Sequence, residues 1–315
     1  MAMSIERIPS FRFVPLTNQL VSRIEKVYEN EKFQSTLHSL IFKMCVEHPY
    51  HCIVHIVALF NGKKVGSGVS GRNANAFLEN VGDSKVQAAS QIMERLRKKG
   101  PQFIGKLLQN YKVVADAYIQ LANVSTEKVQ KTRTKKIKFS DVGSTLDKCL
   151  GRLSATAKYA PGVFTAPPPL SPGADYGNGQ RDPIGGERIF GFEPYFDITD
   201  SGIHRPKVVI CVGTKGSKFR QLVKGQDEIR QDAIMSQIFT YVNSLMRRRF
   251  AKAMASSNQP AGGCSVQHRL KMVTYHVIPL SPASGVRFIN SVGQKRNFFC
   301  SHYLCLLLFS GFRMG

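Results

Sequence analysis

The chain has 315 residues, 43% hydrophobic and 21% charged, with 26 Gly and 15 Pro. This is ordinary globular usage, enough for one large or two average domains, and it excludes collagen-like and low-complexity chains. Lys and Arg number 44 against 21 Asp and Glu, a formal net charge of +23, which calls for an anionic partner such as nucleic acid, phosphate or an anionic surface without choosing among them.

The N-terminal half reads as helices. From Leu20 to Cys45 apolar residues recur at spacings of three and four, at Leu20, Ile24, Val27 and Tyr28 and again at Leu37, Leu40, Ile41 and Met44. A second apolar helix is expected from His51 to Phe60. A third runs from Ser84 to Lys99, with Val86, Ile92, Met93 and Leu96 on its apolar side, and Gly100-Pro101 stops it. A fourth starts near Phe103 and carries Leu107, Leu108, Tyr111, Val114, Tyr118 and Leu121. Successive helices with short breaks predict a piece of α-solenoid over residues 1–150, although no repeat period is visible.

Composition then changes. Val124 to Lys138 holds six Lys or Arg and one Glu, and Ala160 to Gly186 is rich in Pro, Gly and Ala. We read residues 151–190 as linker or exposed loop. From Lys207 the β-branched run KVVICVG, the turn TKGS and the run KFRQLVK predict a hairpin. A helix follows from Asp227 to Arg249, acidic at its start and basic at its end, as the helix dipole favours. LKMVTYHVI and VRFINSV predict two more strands. The fold class is therefore α+β, a helical half followed by a small antiparallel-sheet-plus-helix unit at residues 191–297, with residues 298–315 as a tail. Its longest apolar run, Tyr303 to Phe309, has seven residues, far short of the ~18 a membrane span needs. The N-terminus shows no apolar signal core. Seven scattered cysteines without a C-x-x-C pair suit a reducing compartment, so no membrane partner is expected.

Several motifs have competing readings. Gly66 to Gly71 matches G-x-G-x-x-G, but no strand precedes it and no βαβ unit follows, so a loop between helices is favoured over a phosphate cradle. His48, His51, Cys52 and His55 share a helical face, but no second ligand cluster supports them. Core histidines are favoured over a zinc site, and no metal is expected. The basic runs Arg95 to Lys99, Lys128 to Lys138 and Arg247 to Arg249 offer direct nucleic-acid contact, but without interleaved aromatics a solvated face is the default. The sharpest constellation is Val212 to Asp232. A glycine turn at Gly213, Thr214, Lys215, Gly216 and Ser217 with free backbone N–H groups suits a triphosphate. Lys224 closes the second strand as a point charge for phosphate oxygens, and Asp227 and Asp232 are placed to pair with it. Spacing alone leaves this level with an exposed lysine beside a capped helix.

At these residues the chain resembles the phosphatidylinositol 3-kinase-related protein kinases. QLVKGQDEIRQD, Gln221 to Asp232, is similar to the family signature. HPYHCIVHIVALFN from His48, ADAYIQLAN from Ala115 to Asn123 and YGN from Tyr176 to Asn178 resemble, in the same order, two helices of the family's FAT domain and a short motif ahead of its kinase domain. The likeness runs from about residue 35 to residue 292 and leans toward the DNA-damage-response branch. It implies the end of a FAT domain followed by the N-lobe of a serine/threonine protein kinase. It also implies ATP with Mg as cofactor, Gly213 to Ser217 as the phosphate loop, Lys224 as the ATP-phosphate lysine oriented by Asp227 and Asp232, and Tyr275 against the adenine. Its further implications are protein substrates phosphorylated at Ser or Thr before Gln, DNA-damage sensor proteins as partners, and a nuclear location.

Two departures stand out. After Gly285-Val286 the family has an acidic residue and Trp, where this chain has Arg287, Phe288, Ile289 and Asn290; Phe288 is the expected aromatic substitute. No Asp-Arg-His, Asp-Phe-Gly or Asp-Leu-Gly triplet occurs, so the catalytic base and main metal-binding Asp are missing from this sequence. No phosphotransferase activity is expected of the chain alone. The tail from Phe298 does not resemble the family, and the surface of the N-lobe that faces the missing lobe is expected to be apolar and exposed, with Tyr303 to Phe309 either partly covering it or driving aggregation. The competing function is a non-catalytic helical scaffold that binds protein partners or nucleic acid through its basic surface.

Overall fold

The computed structural model describes residues 7–26, 32–64, 82–125, 136–149, 163–168, 170, 186–199, 205–256 and 272–289. The Gly66–Gly71 motif, the basic residues Lys128 to Lys135, the YGN motif, Asn290 and the tail with Tyr303 to Phe309 lie outside them.

Among the described residues the first half is helical: α1 Thr17–Ser22, α2 Lys32–Glu47, α3 Pro49–Phe60, α4 Asp83–Lys99 and α5 Gln102–Asn123, with the single turn α6 Leu146–Cys149. Each long helix buries the apolar stripe read from the sequence: Leu40, Ile41 and Met44 of α2, Ile92, Met93 and Leu96 of α4, and Leu107, Leu108, Tyr111, Val114 and Leu121 of α5. The one helix expected over Leu20–Cys45 is two. A polar pair on α2 explains the break. Gln34 donates to the Arg23 carbonyl at 3.1 Å and accepts from the Glu25 amide at 3.0 Å, and His38 Nε2 bonds the Glu25 carbonyl at 2.7 Å. These buried side chains satisfy backbone groups that a continuous helix would have paired internally.

The second half is a six-stranded antiparallel sheet in the order β1-β2-β3-β4-β6-β5, formed by β1 Lys136–Lys138, β2 Ile189–Ile198, β3 Lys207–Gly213, β4 Lys218–Gly225, β5 His276–Ser281 and β6 Ser284–Ile289. The predicted hairpin is β3–β4, turned at Gly216, whose φ of +81° suits glycine. Helix α7, Ile229–Ser256, follows β4. Two strands were not legible. β1 is three residues long and hidden in the basic run. β2 carries Gly191 and Pro194, and its pairing with β3 shifts register between Phe192 and Phe196, where a residue without an N–H is tolerated. The strand expected from Leu270 begins only at His276. Ahead of it Asn243 takes both backbone groups of Met272, at 2.8 Å each, and Ser236 takes those of Tyr275, so side chains of α7 replace the ladder.

Helices and sheet share one hydrophobic core that runs from Val21 to Val286. Part of the expected exposed loop belongs to it: Val163, Phe164 and Thr165 are 9%, 5% and 1% exposed, and Thr165 bonds the Glu187 carbonyl through its amide and its hydroxyl, both at 2.8 Å. Gln221 of β4 accepts a hydrogen bond from the Tyr118 hydroxyl of α5 and donates to the Thr165 carbonyl at 2.8 Å. Helical layer, connecting segment and sheet thus meet at one buried amide. Ile234, Ile238, Tyr241 and Leu245 of α7 form an exposed apolar stripe.

Candidate nucleotide-phosphate site

β4 and α7 build the site. Side chains alternate across a strand, so Gln221, Val223 and Gly225 face α5 while Leu222 and Lys224 face the other way. Gln226, at φ +58°, turns the chain out of the strand. Asp227 follows in that turn rather than in a helix, and Asp232 lies in the first turn of α7. Both carboxylates return to Lys224: its amine is 2.6 Å from Asp232 Oδ2 and 3.2 Å from Asp227 Oδ2. The lysine side chain is 10% exposed, against 30% for Asp232 and 45% for Asp227. Burial disfavours the ammonium, but the hydrogen bond and charge of Asp232, aided by Asp227, outweigh it and raise the Lys224 pKa above the ordinary lysine value. The amine therefore stays charged at neutral pH. An ammonium has three donors; two are aimed at carboxylates, and a third suits a phosphate oxygen. This fits the terminal phosphates of a nucleotide. No group of three His, Cys, Asp or Glu able to hold a metal occurs among the described residues.

The glycine turn does not join this site. β3 and β4 pair Val212 with Lys218 beside the turn and Lys207 with Val223 at the other end. Lys224 therefore lies six residues along β4 from Lys218, about 20 Å at the rise of an extended strand. Four of the turn's five amides are also committed. Gly213 N–H bonds the Ser217 carbonyl at 2.8 Å, Thr214 N–H the Arg188 carbonyl at 2.9 Å, Gly216 N–H the Gly213 carbonyl at 2.9 Å, and Lys215 N–H the Glu187 carboxylate. Gly213, Thr214, Lys215, Gly216 and Ser217 thus cap the far end of the hairpin, and the expectation that they share phosphates with Lys224 is corrected. The connection at the Lys224 end is that between β2 and β3, of which Thr199, Arg205 and Pro206 are described.

Tyr275 does lie on the Lys224 side of the sheet. Its backbone is held by Ser236 of α7, one turn after Asp232, and the Arg287 guanidinium sits over its ring, 3.4 Å from the centroid. Phe288 points to the opposite face, packed against the core, because neighbouring residues of a strand alternate. It cannot act as the aromatic substitute expected from the sequence. Neither Ser236 nor Arg287 was singled out as a binding residue. The signal available for Ser236 was its spacing of four from Asp232.

Two histidines of the His48–His55 cluster bond within the fold. His48 Nε2 bonds Ser10 Oγ at 2.9 Å, and His51 Nε2 bonds the Pro168 carbonyl at 2.9 Å. Burial lowers the pKa of His51 and takes that of His55 to about 4. Cys52 and Cys149 are buried thiols with pKa raised to about 12, unsuited to nucleophilic work. In the basic run of α4, Arg97 and Lys98 pair with Glu94 of the same helix at 3.6 and 3.2 Å. Arg247 to Arg249 are exposed. No described helix is long and apolar enough to cross a membrane.

Lys207, 6% exposed, is a second buried lysine at this end of the sheet. Its amine donates to the Ala122 carbonyl at the end of α5, at 2.8 Å. Burial takes its pKa to about 8. An unfolded lysine keeps its proton to about pH 10.4. Between those values the unfolded state binds more protons, so the folded state gains stability as pH rises. The melting-temperature advantage of the unsubstituted chain over Lys207→Met should therefore widen from pH 8 to pH 10. A difference that does not vary with pH would refute the assignment.

No protein-family model matches the chain. Its sequence is 31% identical over 296 residues to the serine/threonine-protein kinase ATM of Arabidopsis thaliana, an alignment that covers 91% of this chain and 6% of that protein. It is 30% identical over 290 residues to the serine-protein kinase ATM of Sus scrofa, covering 89% of this chain and 8% of that protein. Among solved structures, the FAT and kinase domain of CtTel1 superposes with a TM-score of 0.63 at 27% identity, over 91% of this chain and 17% of that one. The chain thus spans less than a tenth of the length of these two kinases.

Proposed function

Because this chain is homologous over about 90% of its length to the ATM/Tel1 serine/threonine kinases, a branch of the phosphatidylinositol 3-kinase-related family, we propose that it carries the nucleotide-phosphate-holding part of such a kinase. Residues 1–150 are the end of a FAT segment, 151–190 the connection, 191–297 the kinase N-lobe and 298–315 a tail. Lys224 binds the ATP phosphates, Asp232 and Asp227 hold its amine in place, and Tyr275 walls the base. The protein to which this segment corresponds transfers phosphate from Mg-ATP to Ser or Thr before Gln in protein substrates. It works in the nucleus, with DNA-damage sensors as partners. The homology gives no support to the non-catalytic scaffold.

One observation carries this reading: a buried amine at the end of a central strand, fixed by two carboxylates at 2.6 and 3.2 Å. In the chemistry of phosphoryl transfer, a positioned cation neutralises charge on the phosphoryl oxygens, and positioning with electrostatic stabilisation supplies most of the catalysis. The salt bridges spare Lys224 the cost of finding its place when nucleotide arrives. The test is thermal stabilisation by Mg-ATP. Binding to the folded state alone stabilises by about 2.7 kcal/mol at a hundredfold excess over Kd, so a rise in melting temperature is expected. It should vanish in Lys224→Glu and in Lys224→Met, the second variant guarding against the crowding of three carboxylates. A rise that persists in both would sink the assignment of Lys224.

A further inference from the structure

Helix α7 has an inner and an outer side. On the inner side Asp232 reaches Lys224, and Ser236 holds the backbone of Tyr275. At about 100° per residue the opposite side carries Ile234, Ile238, Tyr241 and Leu245, each at least 45% exposed. Large apolar side chains grouped in this way mark an interaction face, unlike single apolar residues scattered over a surface. Their spacings are four, three and four, the d, a, d and a positions of a heptad. That is the narrow seam of a paired helix, not the broader stripe of a helix laid on a core. Gln231 and Arg248, the next seam positions on either side, are exposed and polar and close the seam. The N-terminal segment borders one flank, where Gln237 donates to the Pro15 carbonyl at 2.7 Å and accepts from Gln19 at 2.9 Å. It leaves the four apolar residues uncovered.

The charge pattern of the helix selects its occupant. A second α7 laid antiparallel sets each a position against a d position, Ile238 of one copy on Tyr241 of the other and Ile234 on Leu245. In the same register the flanking e positions face one another. Met235 meets Val242, and Glu228, just ahead of the helix, meets Arg249 near its end. Every contact occurs twice about the two-fold axis, as a self-complementary interface requires. The Glu228 carboxylate takes two bonds from Arg230 and, with about four acceptor sites, has room for a second guanidinium. A parallel pair would set Arg249 against Ser244 and bring the two Arg247–Arg249 runs side by side, whereas the antiparallel pair puts each basic end beside an acidic start and opposes the helix dipoles. We propose that α7 pairs antiparallel with α7 of a second copy of this chain through Ile234, Ile238, Tyr241 and Leu245. Asp232 lies on the other side of the helix, so the pairing leaves Lys224 open. Four seam residues per copy bury less than the ~1,200 Å² of a standard interface, which makes the dimer reversible rather than permanent.

Sedimentation equilibrium of the full chain tests this. Between about 5 and 200 μM, where weak interfaces titrate, the mass should move reversibly from 35.1 kDa toward twice that value. Ile238→Arg and Leu245→Arg each enter the seam twice and should weaken pairing at least tenfold. Both positions are exposed, and a melting curve establishes that each variant is folded. Arg249→Glu faces Glu228 with a like charge in both copies and should weaken pairing about tenfold. Adding Glu228→Lys to Arg249→Glu should recover most of that loss, a recovery that only the antiparallel register provides. A chain that stays monomeric at the highest concentration would overturn the proposal. So would a dimer, or open-ended association, that both seam variants leave unchanged. Loss of pairing in the seam variants without recovery in the charge-reversed double variant would overturn the antiparallel register. Lys224→Met should pair as the unsubstituted chain does, so failure of the phosphate site and failure of this interface are read separately.

Discussion

A Gly225→Ala variant is expected to lose about 3 kcal/mol of folding stability, the upper range for forcing a methyl into packed structure, and with it the Mg-ATP response. A Cβ at this position falls inside van der Waals contact of the Ala122 carbonyl oxygen, 2.9 Å from its carbonyl carbon and 3.3 Å from its Cβ. These are mostly backbone atoms in the last turn of α5. They cannot swing aside, because the Lys207 amine holds the same carbonyl at 2.8 Å and Asn123 reaches Ser284 at 3.4 Å. Relief requires β4 to lift away from α5 at the residue next to Lys224. Gly105, within α5 and with nothing inside 4 Å of an added Cβ, is the matching control; alanine there should stabilise by about 0.5–1 kcal/mol. Urea unfolding of both variants checks the pair, and a Gly225→Ala loss below about 0.5 kcal/mol would show that α5 does not clamp the strand.

Phe196→Ala should cost about 4 kcal/mol, in the range for truncating a fully buried aromatic. Phe196 of β2 and Phe139 beyond β1 are both 0% exposed and stack with centroids 5.5 Å apart. Phe196 also pairs directly with Ile137 of β1. β1 is an edge strand that pairs with β2 over three residues, so hydrogen exchange of the Ile137 amide should accelerate more than that of Val223 in β4. Equal acceleration at both would mean that the sheet opens as one unit and that this aromatic pair is no local anchor. Phe196 is two strands from Lys224, so the milder Phe196→Leu should keep the Mg-ATP response.

The coupling through Gly225 and Lys207 gives the helical half a physical role. The carbonyl that ends α5 is wedged between the strand carrying Lys224 and the amine of the neighbouring strand. Displacement of α5 is therefore expected to reach Lys224 without any long path between them.

Legibility followed the range of the interactions. The hairpin β3–β4 stood in the sequence almost residue for residue, because β-branched runs and a glycine turn are local signals. Lys224, Asp227 and Asp232 were legible for the same reason, lying within nine residues across one strand end, one turn and the start of one helix. The glycine turn misled because it is close to Lys224 in sequence and lies at the other end of an extended strand. β2 was hidden by Gly191 and Pro194, which read as breakers until a partner strand supplies the ladder around them. The burial of Val163 to Thr165 and the seat of Arg287 on Tyr275 left no trace in local pattern, since each depends on a partner at least a dozen residues away.

Composition, periodicity and motif order by themselves determined the helical half, the following strand-rich half and the likeness to a kinase family, because those follow from side-chain spacing along one chain segment. Tertiary structure alone decided which connection adjoins the Lys224 end of the sheet, which helix end grips its strand and which cation sits over Tyr275. Those depend on where extended strands end and which faces their alternating side chains take, and the sequence does not state either until the strands are paired.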